Sequence, residues 1–168
     1  VRPRADGYNQ NQDLGGGSHD GTRYVLTQDN GGLDRSLCLD YRFNGSTGWS
    51  ALAGRKGVVG SIPVVPDAWA FVAVVYAGGS VTLYVDGVTA TGPAKMGGGR
   101  GTLRIGGNGP SAATSFVGLI DHAFVYGAAL SVAELDNLRG VRLAKPAPAA
   151  GSGGYALRLR RELGSYVE

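Results

Sequence analysis

Apolar and polar positions along this chain fall into short runs separated by Gly, Asn, Asp and Ser, and the runs predict β-strands. Residues 71–76 (FVAVVY) carry no charge and are rich in Val and aromatics, the pattern of a strand buried on both faces in mid-sheet. After Ala77-Gly78-Gly79-Ser80, residues 81–85 (VTLYV) alternate apolar with mixed positions. Asp86-Gly87 then supplies the positive-φ pair of a type I′ hairpin, so the next strand starts near Val88.

The same reading extends over the chain. Residues 23–28 (RYVLTQ) predict a strand with Tyr24 and Leu26 on one face and Val25 and Thr27 on the other. Residues 36–43 (SLCLDYRF) place Leu37, Leu39, Tyr41 and Phe43 toward the core and Cys38, Asp40 and Arg42 on the opposite face. Residues 44–48 form a hairpin loop and residues 49–53 return as the partner strand. Pro63 and Pro66 favour extended or edge structure over residues 58–66. Residues 91–101 read as a loop, and residues 116–126 (FVGLIDHAFVY) as a second central strand. Ser131 and Glu134 stand at the spacing of a capping box, opening the one helix, which runs about two turns to Leu138. Residues 6–22 form a polar Gly, Asn and Asp-rich loop of functional length.

Composition narrows the class. With 168 residues the chain holds one domain's worth of core, and 30 Gly with 17% charged residues suit tight turns between strands. The net charge of +3 is spread along the chain and builds no basic stripe, which argues against nucleic acid. Cys38 is alone, so it reads as a half-buried strand thiol and no disulfide framework exists. No apolar run reaches the ~20 residues that span a bilayer, so no membrane insertion is expected. A secretion signal, if the parent protein is exported, lies outside this chain.

Trp69 before the strand VAVVY, then LYVDG at 83–87, LRIGG at 103–107, GLID at 118–121 and ALSVAEL at 129–135 follow in a fixed order. In order and spacing over residues 67–138 they resemble the laminin G-like branch of the concanavalin A-like lectin/glucanase superfamily. The resemblance implies an all-β, concanavalin A-like jelly-roll sandwich of two antiparallel sheets with one short helix. It also implies a non-catalytic, lectin-like carbohydrate-binding module of a secreted multidomain protein. The alternative is a structural or protein-interaction accessory domain that binds no sugar, because one scaffold hosts both roles. Partners are therefore a carbohydrate or a neighbouring protein domain.

The organisation at the C-terminus is unusual. Residues 1–143 make the sandwich, residues 144–154 (AKPAPAAGSGG) have linker composition, and residues 155–168 (YALRLRRELGSYVE) resemble the first strand that the family places at its start. Either the domain is circularly permuted and residues 155–168 complete its sandwich, or they begin a tandem copy.

Candidate chemistry is sparse. The glucanase relatives use two carboxylates about 5 Å apart. This chain has only Glu134, Glu162 and Glu168 besides its aspartates, and lacks a Glu-x-Asp-x-x-Glu pattern, so no enzyme activity is expected. Asp121, inside an apolar run, needs either backbone hydrogen bonds or a cation. The resemblance implies Ca²⁺ there, although Arg160-Arg161-Glu162 stand where relatives often carry acids. For a sugar, Asp40 and Arg42 on one sheet face with Trp49 on the next strand offer hydrogen bonds and an aromatic plane. The rival reading makes Trp49 and Trp69 core anchors and Asp40–Arg42 an ordinary ion pair. His19 and Asp20, at the end of the polar loop, form a second candidate edge.

Overall fold

A computed structural model describes residues 1–5, 22–28, 35–39, 48–54, 56–95, 101–108 and 115–143. Its elements in chain order are β1 (Arg2–Pro3), β2 (Arg23–Gln28), β3 (Arg35–Leu39), β4 (Trp49–Ala53), β5 (Lys56–Ile62), β6 (Val72–Ala77), β7 (Ser80–Val85), β8 (Val88–Pro93), β9 (Leu103–Ile105), β10 (Gly118–Leu119) and α1 (Val132–Leu143). Every strand pairing is antiparallel: a five-stranded sheet in the order β5-β4-β3-β2-β9, a three-stranded sheet β6-β7-β8 and the short pair β1-β10.

The core lies between the two larger sheets. Val25, Leu37, Leu39, Trp49, Ala51 and Ala53 from one side meet Val81, Leu83 and Val85 from the other. Period-two alternation explains this directly, because Leu37 and Leu39 join the central cluster while Cys38 joins a separate cluster with Tyr24 and Leu52. Tyr76 ties the layers by donating its hydroxyl to the Leu52 carbonyl at 2.8 Å. At one edge the sheets close on each other: a Cβ on Gly92 would sit 2.5 Å from the Gly57 carbonyl oxygen, so only glycine permits the approach.

Two hairpins set the three-stranded sheet. Ala77 pairs with Ser80 around Gly78-Gly79, and Val85 with Val88 around Asp86-Gly87. All four turn residues have positive φ, as type I′ geometry requires. The outer face of this sheet carries α1. Leu135 is buried, and Tyr84, also buried, donates its hydroxyl to Asp136 Oδ1 at 2.6 Å and meets Phe71 edge-on at 5.9 Å. Burial, and then the hydrogen bond to Asp136, push the Tyr84 hydroxyl pKa up.

Five expectations change. Among the described residues, 71–76 are not mid-sheet: β6 has β7 as its one strand neighbour there and is half-buried, β7 being central. A charge-free apolar run looks the same at either position until its partners are known. In β2 a bulge between Tyr24 and Leu26 breaks the alternation, so Tyr24 pairs with Cys38 while Leu26 packs against the central cluster. Strand β8 runs on to Pro93, into the expected loop. Of residues 116–126 only Gly118–Leu119 form a strand, and Phe124, Val125 and Tyr126 are exposed. Helix α1 is longer than expected, continuing through Gly140. Its start is as read: Ser131 N–H donates to Glu134 Oε2 at 2.7 Å, and Glu134 N–H to Ser131 Oγ at 3.3 Å.

Candidate functional site

The face of the five-stranded sheet turned away from the central core is built by register. Tyr24 lies opposite Cys38, Cys38 opposite Ser50, Ser36 opposite Leu52, and Thr27 opposite both Ser36 and Arg104. Four hydroxyls, one thiol and one guanidinium are thus carried on neighbouring strands β2, β3, β4 and β9. Tyr24, Thr27, Ser36, Cys38, Ser50 and Leu52 are buried and Arg104 is exposed.

Some of these hydroxyls are committed. Ser50 Oγ accepts the Gly60 N–H at 2.8 Å, and Thr27 Oγ1 donates to Asn108 Oδ1 at 2.9 Å. Among the described residues, by contrast, buried Ser36 Oγ meets no hydrogen-bond partner, and neither does Thr22 Oγ1 just before β2. Burying a hydroxyl without a hydrogen-bond partner costs roughly 1–3 kcal/mol.

Of the residues singled out for ligand binding, Trp49 is only 1% exposed, at the centre of the core cluster opposite Leu39. Asp40, Arg42, His19 and Asp20 lie outside the described residues. Trp69 runs the other way: read as a core anchor, it is 49% exposed. It sits in the connection before β6, where Arg2 Nε donates to the Asp67 carbonyl at 2.8 Å. No local signal separates the two tryptophans, because burial is decided by which strand crosses each one. Arg104 was missed as a site residue. Its place opposite Thr27 depends on the pairing of β2 with β9, strands far apart in sequence.

Asp121 is not the buried acid that its apolar surroundings suggest. Its side chain is 65% exposed and pairs with His122, Oδ2 to Nδ1 2.7 Å, while His122 stacks on Phe124. Solvent and the imidazole meet its hydrogen-bonding needs without a cation. Calcium takes six to eight oxygens, and among the described residues no three of His, Cys, Asp or Glu come together to supply them. The described residues around Asp121 therefore do not fit a calcium cage. Nor does any helix among the described residues have the length and apolarity to cross a membrane.

A laminin G-like family model, described as concanavalin A-like lectin/glucanases superfamily, matches residues 1–136. The chain belongs to this superfamily. The antiparallel layers with a single described helix agree with it, and the superfamily includes both enzymes and binding modules. A lectin-like or interaction module is the general role that membership supports. No curated protein and no solved structure matches the chain.

Proposed function

We propose that this chain is a non-catalytic carbohydrate-binding module of a secreted multidomain protein, and that it takes its ligand on the outer face of the five-stranded sheet. The observation that carries the reading is the Ser36 hydroxyl, which meets no partner among the described residues, on a face shared with Tyr24, Thr27 and Ser50. Sugar hydroxyls both donate and accept, which matches side chains that do the same. Asp40 and Arg42, which lie outside the described residues, are the charged candidates that the sequence offers for this ligand.

A second reading has its own support. Trp69, Val65 and Leu119 expose large apolar surface, which suits an accessory domain docking on a protein neighbour. A glycan array, run with and without Ca²⁺, separates the two. Specific binding lost in Arg42→Ala and weakened in Ser36→Ala supports the sugar reading, and loss of signal on chelation would bring Asp121 back as a metal ligand. Silence across all glycans refutes the sugar reading and leaves the accessory role.

A further inference from the structure

The outer face of the three-stranded sheet is set by alternation. Val81, Leu83 and Val85 of β7 join the central cluster, and Val72, Val74, Tyr76 and Ala90 pack against it, so the residues between them point the other way. Strand register sorts those residues into three rows: Ala77 with Ser80 and Pro93, Val75 with Thr82 and Thr91, and Ala73 with Tyr84 and Thr89. Tyr84 is buried beside α1, bonded to Asp136, whereas Ala77, Thr89, Thr91 and Pro93 are exposed.

None of these positions is charged. Solvent-facing sheet faces ordinarily carry polar and charged side chains, and edge strands use charge to keep other chains off. Here the charges stand at the ends, Asp86 in the turn before β8 and Lys95 past it. The face is also rigid and both donates and accepts. Thr82 Oγ1 and Thr91 Oγ1 lie 3.0 Å apart, so one hydroxyl donates to the other. That bond engages one of their two protons and leaves the other, with the remaining lone pairs, for a ligand. Ser80 Oγ donates to the Ala77 carbonyl at 2.8 Å and keeps its acceptor capacity. Val75, Thr82 and Thr91 are β-branched, so they have little side-chain freedom to lose on binding.

Size and charge decide what fits. Three strands about 4.8 Å apart, each of six residues at about 3.4 Å, make a face of roughly 14 by 20 Å, or about 300 Å². A stable protein interface buries about 800 Å² per partner, so even with surface relief doubling the area this face alone holds neither a second copy nor a neighbouring domain. An acidic chain would find no cation in these rows to replace the water that its carboxylates lose.

We propose that this face is a second carbohydrate site, which takes an uncharged polysaccharide laid across the strands. Ser80, Thr82 and Thr91 meet the sugar hydroxyls, while Val75, Ala77 and Pro93 meet the C–H faces of the rings. It lies on the opposite side of the sandwich from the outer face of the five-stranded sheet, so with both sites filled the module holds two chains at once.

Amide shift mapping of the ¹⁵N-labelled full chain with cellohexaose, xylohexaose and mannohexaose, and with hexagalacturonate as the acidic counterpart, tests this. At least one neutral hexasaccharide is expected to give saturable shifts at Val75, Thr82 and Thr91. In Thr82→Lys/Thr91→Lys those shifts should titrate at least ~10-fold more weakly, as the loss of a hydrogen-bonded contact predicts. Shifts on this face without any at Ser36 and Ser50 support the second site and count against the site on the five-stranded sheet; the reverse pattern overturns the second site alone. No shift on this face with any neutral hexasaccharide overturns it, whether or not the variant folds. A response to hexagalacturonate alone overturns it as well, and so do shifts that follow dimer formation in sedimentation, which assign the face to a second copy.

Discussion

Replacing Tyr84 by Phe removes one atom from a junction that holds α1 on the outer face of β7. The ring and its edge-on contact with Phe71 remain, and what goes is the hydroxyl bond to Asp136 Oδ1 at 2.6 Å. Hydrogen bonds to charged acceptors contribute about 1.5–3 kcal/mol. The Asp136 side chain is 46% exposed and has Arg139 at 3.6 Å, so water and the guanidinium take over part of its solvation. The loss therefore belongs at the lower end, about 1.5 kcal/mol, or a fall in Tm of about 3–6 °C for a chain of this size. Guanidinium denaturation followed by circular dichroism measures it, and a cycle with Asp136→Ala isolates the pair. Burial, with Asp136 second, raises the folded-state pKa of Tyr84 above its unfolded value of about 10. The stabilisation is thus complete below about pH 10 and is lost as pH rises beyond it, so the gap between wild type and Tyr84→Phe should narrow in alkali. A Tyr84→Phe cost that is unchanged in the Asp136→Ala background refutes the argument.

Gly57 adopts φ +136° and its added Cβ would stand 2.1 Å from the Ala51 carbonyl oxygen, so Gly57→Ala should cost more than about 2 kcal/mol in a denaturation curve, by strain and by parting β4 from β5. Ser131→Ala removes the N-cap of α1 and should cost about 1 kcal/mol by the same assay. Ser131 holds the Glu134 carboxyl below its ordinary range, a contribution present at neutral pH and lost as pH falls through the folded-state value; carboxyl titration by NMR should show Glu134 returning to ordinary behaviour in Ser131→Ala.

What could be read in advance was local. Gly78-Gly79 and Asp86-Gly87 determine their turns by backbone conformation alone, and Ser131 with Glu134 determine the helix start through bonds three residues apart. Leu37 and Leu39 declare their side by alternation over one strand. The failures share a different cause. Whether residues 71–76 are central or edge, whether Trp49 or Trp69 is covered, and whether Asp121 meets solvent all depend on strands distant in sequence. The bulge at Tyr24 shifts a face by one residue, and nothing in RYVLTQ announces it. The hydroxyl row of the candidate face was not legible, because isolated serines and threonines on separate strands make no motif until register aligns Ser36, Ser50 and Thr27.

The reading of the outer face is most directly tested by amide chemical-shift mapping of the ¹⁵N-labelled chain, titrated with whichever oligosaccharide gives the strongest array signal. Saturable shifts concentrated at Tyr24, Ser36, Cys38, Ser50 and Arg104 are the predicted result. Shifts confined to the surface around Trp69 and Leu119, or none at all, would contradict it.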